Sequence, residues 1–161
     1  MRTLNSDAVH TSLWKTSDAI YGGAVLAGLA LEYMFSLSME KMMAAHMRII
    51  LGSIGISVGV LSAVLAKIQF SRAEQPSAPG KPTTRLVQDG IFSYTRNPLY
   101  LGLVIILVGL GLTFNMPWWI ILAAPIIGLT QWALIIPEEK YLLQKFEGEY
   151  FLYAARVRRW I

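Results

Sequence analysis

Four long stretches of this chain carry almost no charge, and that feature limits what it can fold into more than any other. They run from about Ala19 to Leu37, Ile49 to Phe70, Leu99 to Phe114 and Trp118 to Ile136. A helix crosses the hydrocarbon core of a bilayer with roughly 20 apolar residues, about 17–25 in range. Lipid offers the backbone no hydrogen-bond partner, so such stretches must be helical. The pattern predicts an all-α, polytopic membrane protein: four transmembrane helices in a single domain over residues 1–161. Composition agrees, since 55% of the residues are hydrophobic and 15% charged, too little charge to cover a water-soluble surface. The third stretch is short, so it sits with little tilt or begins in the interface. Asn115-Met116-Pro117 alone joins it to the fourth, which makes the two a tight antiparallel hairpin.

Small residues allow membrane helices to approach closely. Gly55, Gly59 and Ala63 recur on one face of the second stretch, Ala24 and Gly28 on the first, and Ala124 and Gly128 on the fourth. The expected role is helix packing.

The basic residues sort by side. The N-terminal segment, the second loop with its flanks and the C-terminal segment together hold twelve of the fourteen Lys and Arg. Lys41 and Arg48 are the other two, and the hairpin turn has none. The positive-inside rule then places both termini and the second loop in the cytoplasm, in the cytoplasmic membrane if the source is bacterial. Trp118 and Trp119 open the fourth stretch as an aromatic belt would at the opposite interface. The net charge of +4 reads as topology and implies no nucleic-acid partner. With no cysteine, and with His10 and His46 the two histidines, thiol catalysis and a His- or Cys-built metal site are not expected. The polar first residues, Met1 to Lys15, show no signal peptide.

Two segments exceed what a connector needs. The second loop, Ser71 to Arg96, contains Pro76, Pro79, Gly80 and Pro82, so its first half is extended or turning. Its second half, Arg85 to Tyr94, has room to fold back along the membrane surface. The tail from Pro137 to Ile161 reads as an amphipathic cytoplasmic helix, with Leu142, Phe146, Tyr150, Tyr153, Val157 and Trp160 at spacings of three and four. Pro137 suits a first helical position, Glu138 and Glu139 suit the positive end of a helix dipole, and Gly148 is the expected break. The tail would roof a pocket over the helix ends.

The loop ends in Leu86-Val87-Gln88-Asp89-Gly90, then Arg96-Asn97-Pro98-Leu99-Tyr100-Leu101-Gly102. The fourth stretch ends in Pro137-Glu138-Glu139, followed by Phe146, Tyr150 and Tyr153. This ordered set resembles the isoprenylcysteine carboxyl methyltransferase family and, more broadly, the phospholipid methyltransferases of the same membrane fold, over roughly Thr84 to Ile161. Each motif alone is weak; the order and spacing carry the likeness. The resemblance implies methyl transfer from S-adenosylmethionine to a lipophilic acceptor, with the cofactor held under the tail at the membrane face. Arg96 and Glu138 are the implied catalytic residues. Leu86, Val87, Phe92, Arg96, Asn97, Pro98, Tyr100, Glu138, Glu139, Tyr150 and Tyr153 are the implied cofactor contacts, Leu86 and Val87 through their backbone.

The chemistry of these residues permits that reading. A guanidinium pairs with a carboxylate in a fork, an acid takes an ammonium or ribose hydroxyls, and aromatic faces suit an adenine or a sulfonium. Each residue also has a plainer reading. Asn97-Pro98 is a fitting N-cap and first-turn pair for the third helix. Glu138 and Glu139 complement a helix dipole, Tyr150 and Tyr153 pack, and Arg156, Arg158 and Arg159 read as membrane-surface charges. Methyl transfer needs alignment and exclusion of water more than acids and bases. An acceptor carboxylate is already ionised.

Three departures from the family pattern stand out. Leu134 occupies the place of an Arg one turn before the glutamates, with Gln131 the sole polar side chain nearby. The Arg-His-Pro form is Arg-Asn-Pro, and Phe-Gly is Phe146-Glu147-Gly148. The missing Arg points away from a prenylcysteine acceptor and toward another lipophilic one that enters from the bilayer. Two other classes compete: a small proton-coupled transporter using Glu32, an ionisable residue within the first stretch, and a non-catalytic scaffold.

Overall fold

The computed structural model describes residues 6–73 and 84–161, and of residues 6–16 the backbone alone. The described residues form helices and no strand: α1 (Ser6–Met34), α2 (Ala45–Arg72), a 3-10 turn (Gly90–Ser93), α3 (Pro98–Thr113), α4 (Pro117–Thr130), a π-type turn (Gln131–Ile135) and α5 (Ile136–Arg156). Two helices are long and apolar enough to cross a membrane: α2, and the continuous run Pro117–Arg156. α3 is apolar but has 16 residues. Arg2, Lys81 and the proline-rich half of the second loop (Pro76, Pro79, Gly80, Pro82) lie outside the described residues, as do the His10 and Lys15 side chains.

α3 lies between α2 and α4, and α1 packs chiefly on α4 while also reaching α3, where the Tyr21 hydroxyl donates to the Tyr100 carbonyl at 3.4 Å. Glycine explains the α2–α3 contact. A methyl group on Gly102 would fall 2.6 Å from the Gly59 carbonyl oxygen, and one on Gly109 would fall 2.8 Å from that of Gly52. The backbones therefore touch where side chains would hold them apart. Ser62, buried in this seam, donates to the Pro98 carbonyl at 2.7 Å. The expected stripes on the first two helices thus pack: Gly55 and Gly59 against α3, and Gly28 against the Trp119 ring. The third does not, because Ala124 and Gly128 face outward and nothing lies near Gly128. Trp119 also departs from expectation. It is buried between α1 and α4 and donates to the Val25 carbonyl at 3.1 Å, since Gly28 leaves room for an indole. Trp118 stays at the edge, bonded to the Phe35 carbonyl at 2.7 Å.

The fourth stretch and the tail were expected as two helices with a start at Pro137. They are one. Proline has no N–H and its ring crowds the preceding turn. The backbone absorbs this by widening: the Ile136 N–H donates to the Gln131 carbonyl, five residues back. The wide turn carries the helix on without a free N-terminus. The real bend comes at Glu147 (φ 40°, ψ −115°), one residue before the expected Gly148. It folds Tyr150, Tyr153 and Val157 back onto Leu86, where they form a small core with Leu142 and Phe146 beside it. The amphipathic stripe of the tail is buried in this way, against the chain's own second loop.

Candidate functional site

α3 begins, the π-type turn ends and the tail returns at one end of the bundle. A cavity lies there, with about 540 Å³ of space counting the solvent at its open mouth. Its walls include Leu86, Val87, Phe92, Arg96, Asn97, Glu138, Glu139, Tyr150 and Tyr153, nine of the eleven residues singled out in the sequence. The other two, Pro98 and Tyr100, line a smaller adjoining cavity of about 320 Å³, which shares Phe70, Phe92, Arg96, Asn97 and Glu138 with the first. Phe70, Arg85 and Leu142 also line the main cavity and were not foreseen. Phe70, two residues from the end of α2, looks in sequence like the last apolar residue of a span; here it meets Phe92 edge-on at 5.1 Å. Leu134 is fully buried and lines neither cavity.

The second loop supplies one wall. After Asp89 the chain turns at Gly90 (φ 62°), whose missing Cβ leaves space for the Gln69 side chain. The 3-10 turn then seats Phe92, and the Tyr153 hydroxyl donates to the Phe92 carbonyl at 2.8 Å. Asn97 precedes Pro98 at the head of α3 but caps nothing with its side chain. Its amide donates to the Arg159 carbonyl at 2.9 Å instead. Tyr150 and Tyr153 pack edge-on against each other, and both also line the cavity.

The charged groups divide sharply. Glu139 is held by two arginines. Arg159 grips it with Nε to Oε1 at 2.9 Å and Nη2 to Oε2 at 2.6 Å, and Arg96 Nη1 stands 3.2 Å from Oε1. Arg96 Nη1 also donates to the Tyr150 hydroxyl at 3.2 Å, but its buried Nε has no partner. Glu138 has no hydrogen-bond or ion-pair partner among the described residues and lines both cavities. Protein surrounds it, and its accessible edge faces the open space. Burial, with the Glu139 carboxylate beside it, pushes the Glu138 carboxyl up to about 7. Burial likewise raises the Tyr150 and Tyr153 hydroxyls. The hydrogen bond to Glu139 holds the Arg159 guanidinium above its usual range. The dipole reading of the two acids lapses, because α5 continues α4 and has no free N-terminus. Arg159, expected on the membrane surface, is part of this cluster. Nothing in the sequence marks it apart from Arg156 and Arg158.

Fold and site together define a helical protein with a cavity of charged, aromatic and apolar side chains at one end of its bundle. Residues 47–149 match the phospholipid methyltransferase family, and the chain belongs to that family. Membership makes it a membrane-associated methyltransferase. The match reaches back through α2, beyond the half of the chain that carries the sequence motifs, and stops just before Tyr150. No curated protein and no solved structure matches the chain.

Proposed function

We propose that the protein is an S-adenosylmethionine-dependent methyltransferase, one integral domain over residues 1–161, acting on a lipophilic acceptor at the cytoplasmic face. It crosses the bilayer four times with both termini in the cytoplasm. α3, at 1.5 Å rise per residue, spans about 24 Å and stands nearly upright. The observation that carries the proposal is two groups of opposite sign lining one cavity: Arg96, whose Nε has no partner, and the unpartnered Glu138.

These groups fit the cofactor's amino-acid end. Arg96 would take its carboxylate and Glu138 its ammonium, while Phe92, Tyr150 and Tyr153 offer faces for the adenine or sulfonium. Leu86, Val87, Asn97 and Glu139 complete the walls, with Pro98 and Tyr100 toward the smaller cavity. Bound there, the cofactor supplies an electrophilic methyl group, which an acceptor lone pair takes in an in-line displacement that returns the C–S electrons to sulfur. The protein's part is to align the two and exclude water. Leu86, Leu142 and the two tyrosines close the roof against water.

The acceptor has a route. The smaller cavity meets a wide groove through Phe70 and Leu99, and that groove is lined by Val64, Ala66, Lys67, Ile68 and Ser71 of the last turns of α2. An acyl or isoprenoid chain suits such a surface, with its head directed past Phe70 toward the methyl donor.

Titrating the purified protein in detergent with S-adenosylmethionine, or its demethylated product, tests this. Binding is expected in the micromolar range, weakened in Arg96→Ala and in Glu138→Gln. A parent protein that binds neither compound would sink the proposal; binding untouched in both variants would refute the site.

A further inference from the structure

We infer that Arg159 is a positioning residue for the donor site: by holding Glu139 through both carboxylate oxygens, it keeps the Arg96 guanidinium available to a ligand's carboxylate. The inference rests on the reading of the cavity as the cofactor's site. It concerns a residue that does not line that cavity.

Charge and valence divide Glu139 unequally between the two arginines. A carboxylate accepts a guanidinium best as a fork, two parallel N–H···O bonds. Glu139 faces two candidates, and Arg159 has the fork, at 2.9 and 2.6 Å. Arg96 is left with a single Nη1 contact at 3.2 Å and with its Nε buried and unpartnered. With Glu139 shared between two guanidiniums, its charge neutralises Arg96 only in part. Without Arg159, Glu139 is free to take Arg96 in a fork of its own. That would use the Nε and neutralise the charge on which an anionic ligand depends.

The chain fixes this arrangement from behind. The Arg158 carbonyl accepts from the Arg96 backbone N–H at 3.0 Å. The Arg159 carbonyl accepts from Asn97 Nδ2 at 2.9 Å and Thr95 Oγ1 at 3.3 Å. Trp160 Nε1 donates to Gln131 Oε1 at 3.1 Å, tying the strap to the π-type turn. These bonds use backbone atoms and the Trp160 ring, so they survive a change of the Arg159 side chain. The charge balance does not.

The test is a binding comparison with two ligands, S-adenosylhomocysteine and its decarboxylated counterpart, which differ by the one carboxylate. Full-length parent, Arg159→Ala and Arg159→Lys are titrated in detergent. A lost charge-assisted contact is worth about 1.5–3 kcal/mol, so Arg159→Ala is expected to weaken the carboxylate-bearing ligand by about tenfold or more. Its affinity for the decarboxylated ligand should stay within about twofold of the parent's. Arg159→Lys, which keeps the charge but not the fork, should recover part of the loss. Equal losses for the two ligands would mean general disruption and overturn the inference, as would no loss for either. Failure of the parent to bind either ligand would instead remove the cofactor reading, and the inference with it.

Discussion

Each end of α3 holds an arginine largely out of solvent, and the two are used in opposite ways. At the hairpin end, Arg48 is 6% exposed and gives Nη1 to Asn115 Oδ1 at 2.7 Å. The same oxygen accepts from the Met39 backbone at 2.9 Å, and Asn115 Nδ2 reaches Ser38. The knot ties the first loop to the turn between α3 and α4, where Asn115 sits at φ 55°. Among the described residues no acid joins it, and none of the three cavities is lined by it. At the other end, Arg96 shares a carboxylate with Arg159 and faces open space. A buried guanidinium is thus not a binding group by itself. Both arginines have an unpartnered Nε; what distinguishes Arg96 is a second cation that shares its acid and a cavity that it lines.

The sharpest way to break this contrast is to delete Arg96. Arg96→Ala should lower methyl-transfer kcat/KM by about 100-fold, the value of a charge-assisted fork to a ligand. The melting temperature in detergent should move little, because the backbone tie to Arg158 remains. An Arg96→Ala protein with near-parental kcat/KM would place both arginines in the structural class.

Next in size is the reverse experiment at the hairpin. Asn115→Gly keeps the left-handed backbone that glycine adopts freely but removes the acceptor for Arg48 and Met39. It should cost about 2–3 kcal/mol of stability, the penalty for a buried charged donor left unmet. The kcat/KM of the folded fraction should stay unchanged. Thermal unfolding alongside activity per folded molecule reads both. A loss of kcat/KM at undiminished stability would mean that this end also serves the reaction.

These contrasts mark what the sequence could disclose. The apolar stretches located the helices, because long uncharged runs of this kind bury their backbone polar groups most readily in a helix. The motif order assembled most of the cavity wall, because spacing along a helix fixes which residues share an end. Arg159 and Phe70 escaped. One pairs with a glutamate twenty residues away across a bend, and the other hides at the end of an apolar run. The continuity of α4 with α5 escaped too, because a proline stops a regular helix but not one that widens by a residue. That register decides where Glu138 and Glu139 point.

A smaller effect separates the two glutamates. Glu138 is pushed up to about 7 from an ordinary 4.5. A carboxyl raised by folding contributes stability that is complete below about 4.5 and lost as pH rises through about 7. Binding of an ammonium favours the ionised form, so affinity for the cofactor should run the other way. It should fall by up to about tenfold per pH unit below about 7 and level off above it. Glu138→Gln should flatten both dependences, leaving weaker binding with little slope between pH 5.5 and 8. A Gln variant that keeps the parental slope would assign the titration to another group.

The smallest effect belongs to Glu32, the acid that raised the transporter alternative. Its Oε1 accepts from Ser36 Oγ at 2.9 Å and from the Leu37 backbone N–H at 3.2 Å, so it closes the chain just past α1, at the hairpin end. A glutamine keeps a carbonyl oxygen for both bonds, so Glu32→Gln should shift stability by no more than about 0.5 kcal/mol and leave kcat/KM unchanged. Proton coupling would demand more, since a neutral amide carries no proton across. Vesicles holding the parent protein should take up solute under a pH gradient no faster than empty ones. Uptake that exceeds this background and disappears in Glu32→Gln would give the hairpin end a chemistry of its own and undo the division between the two ends.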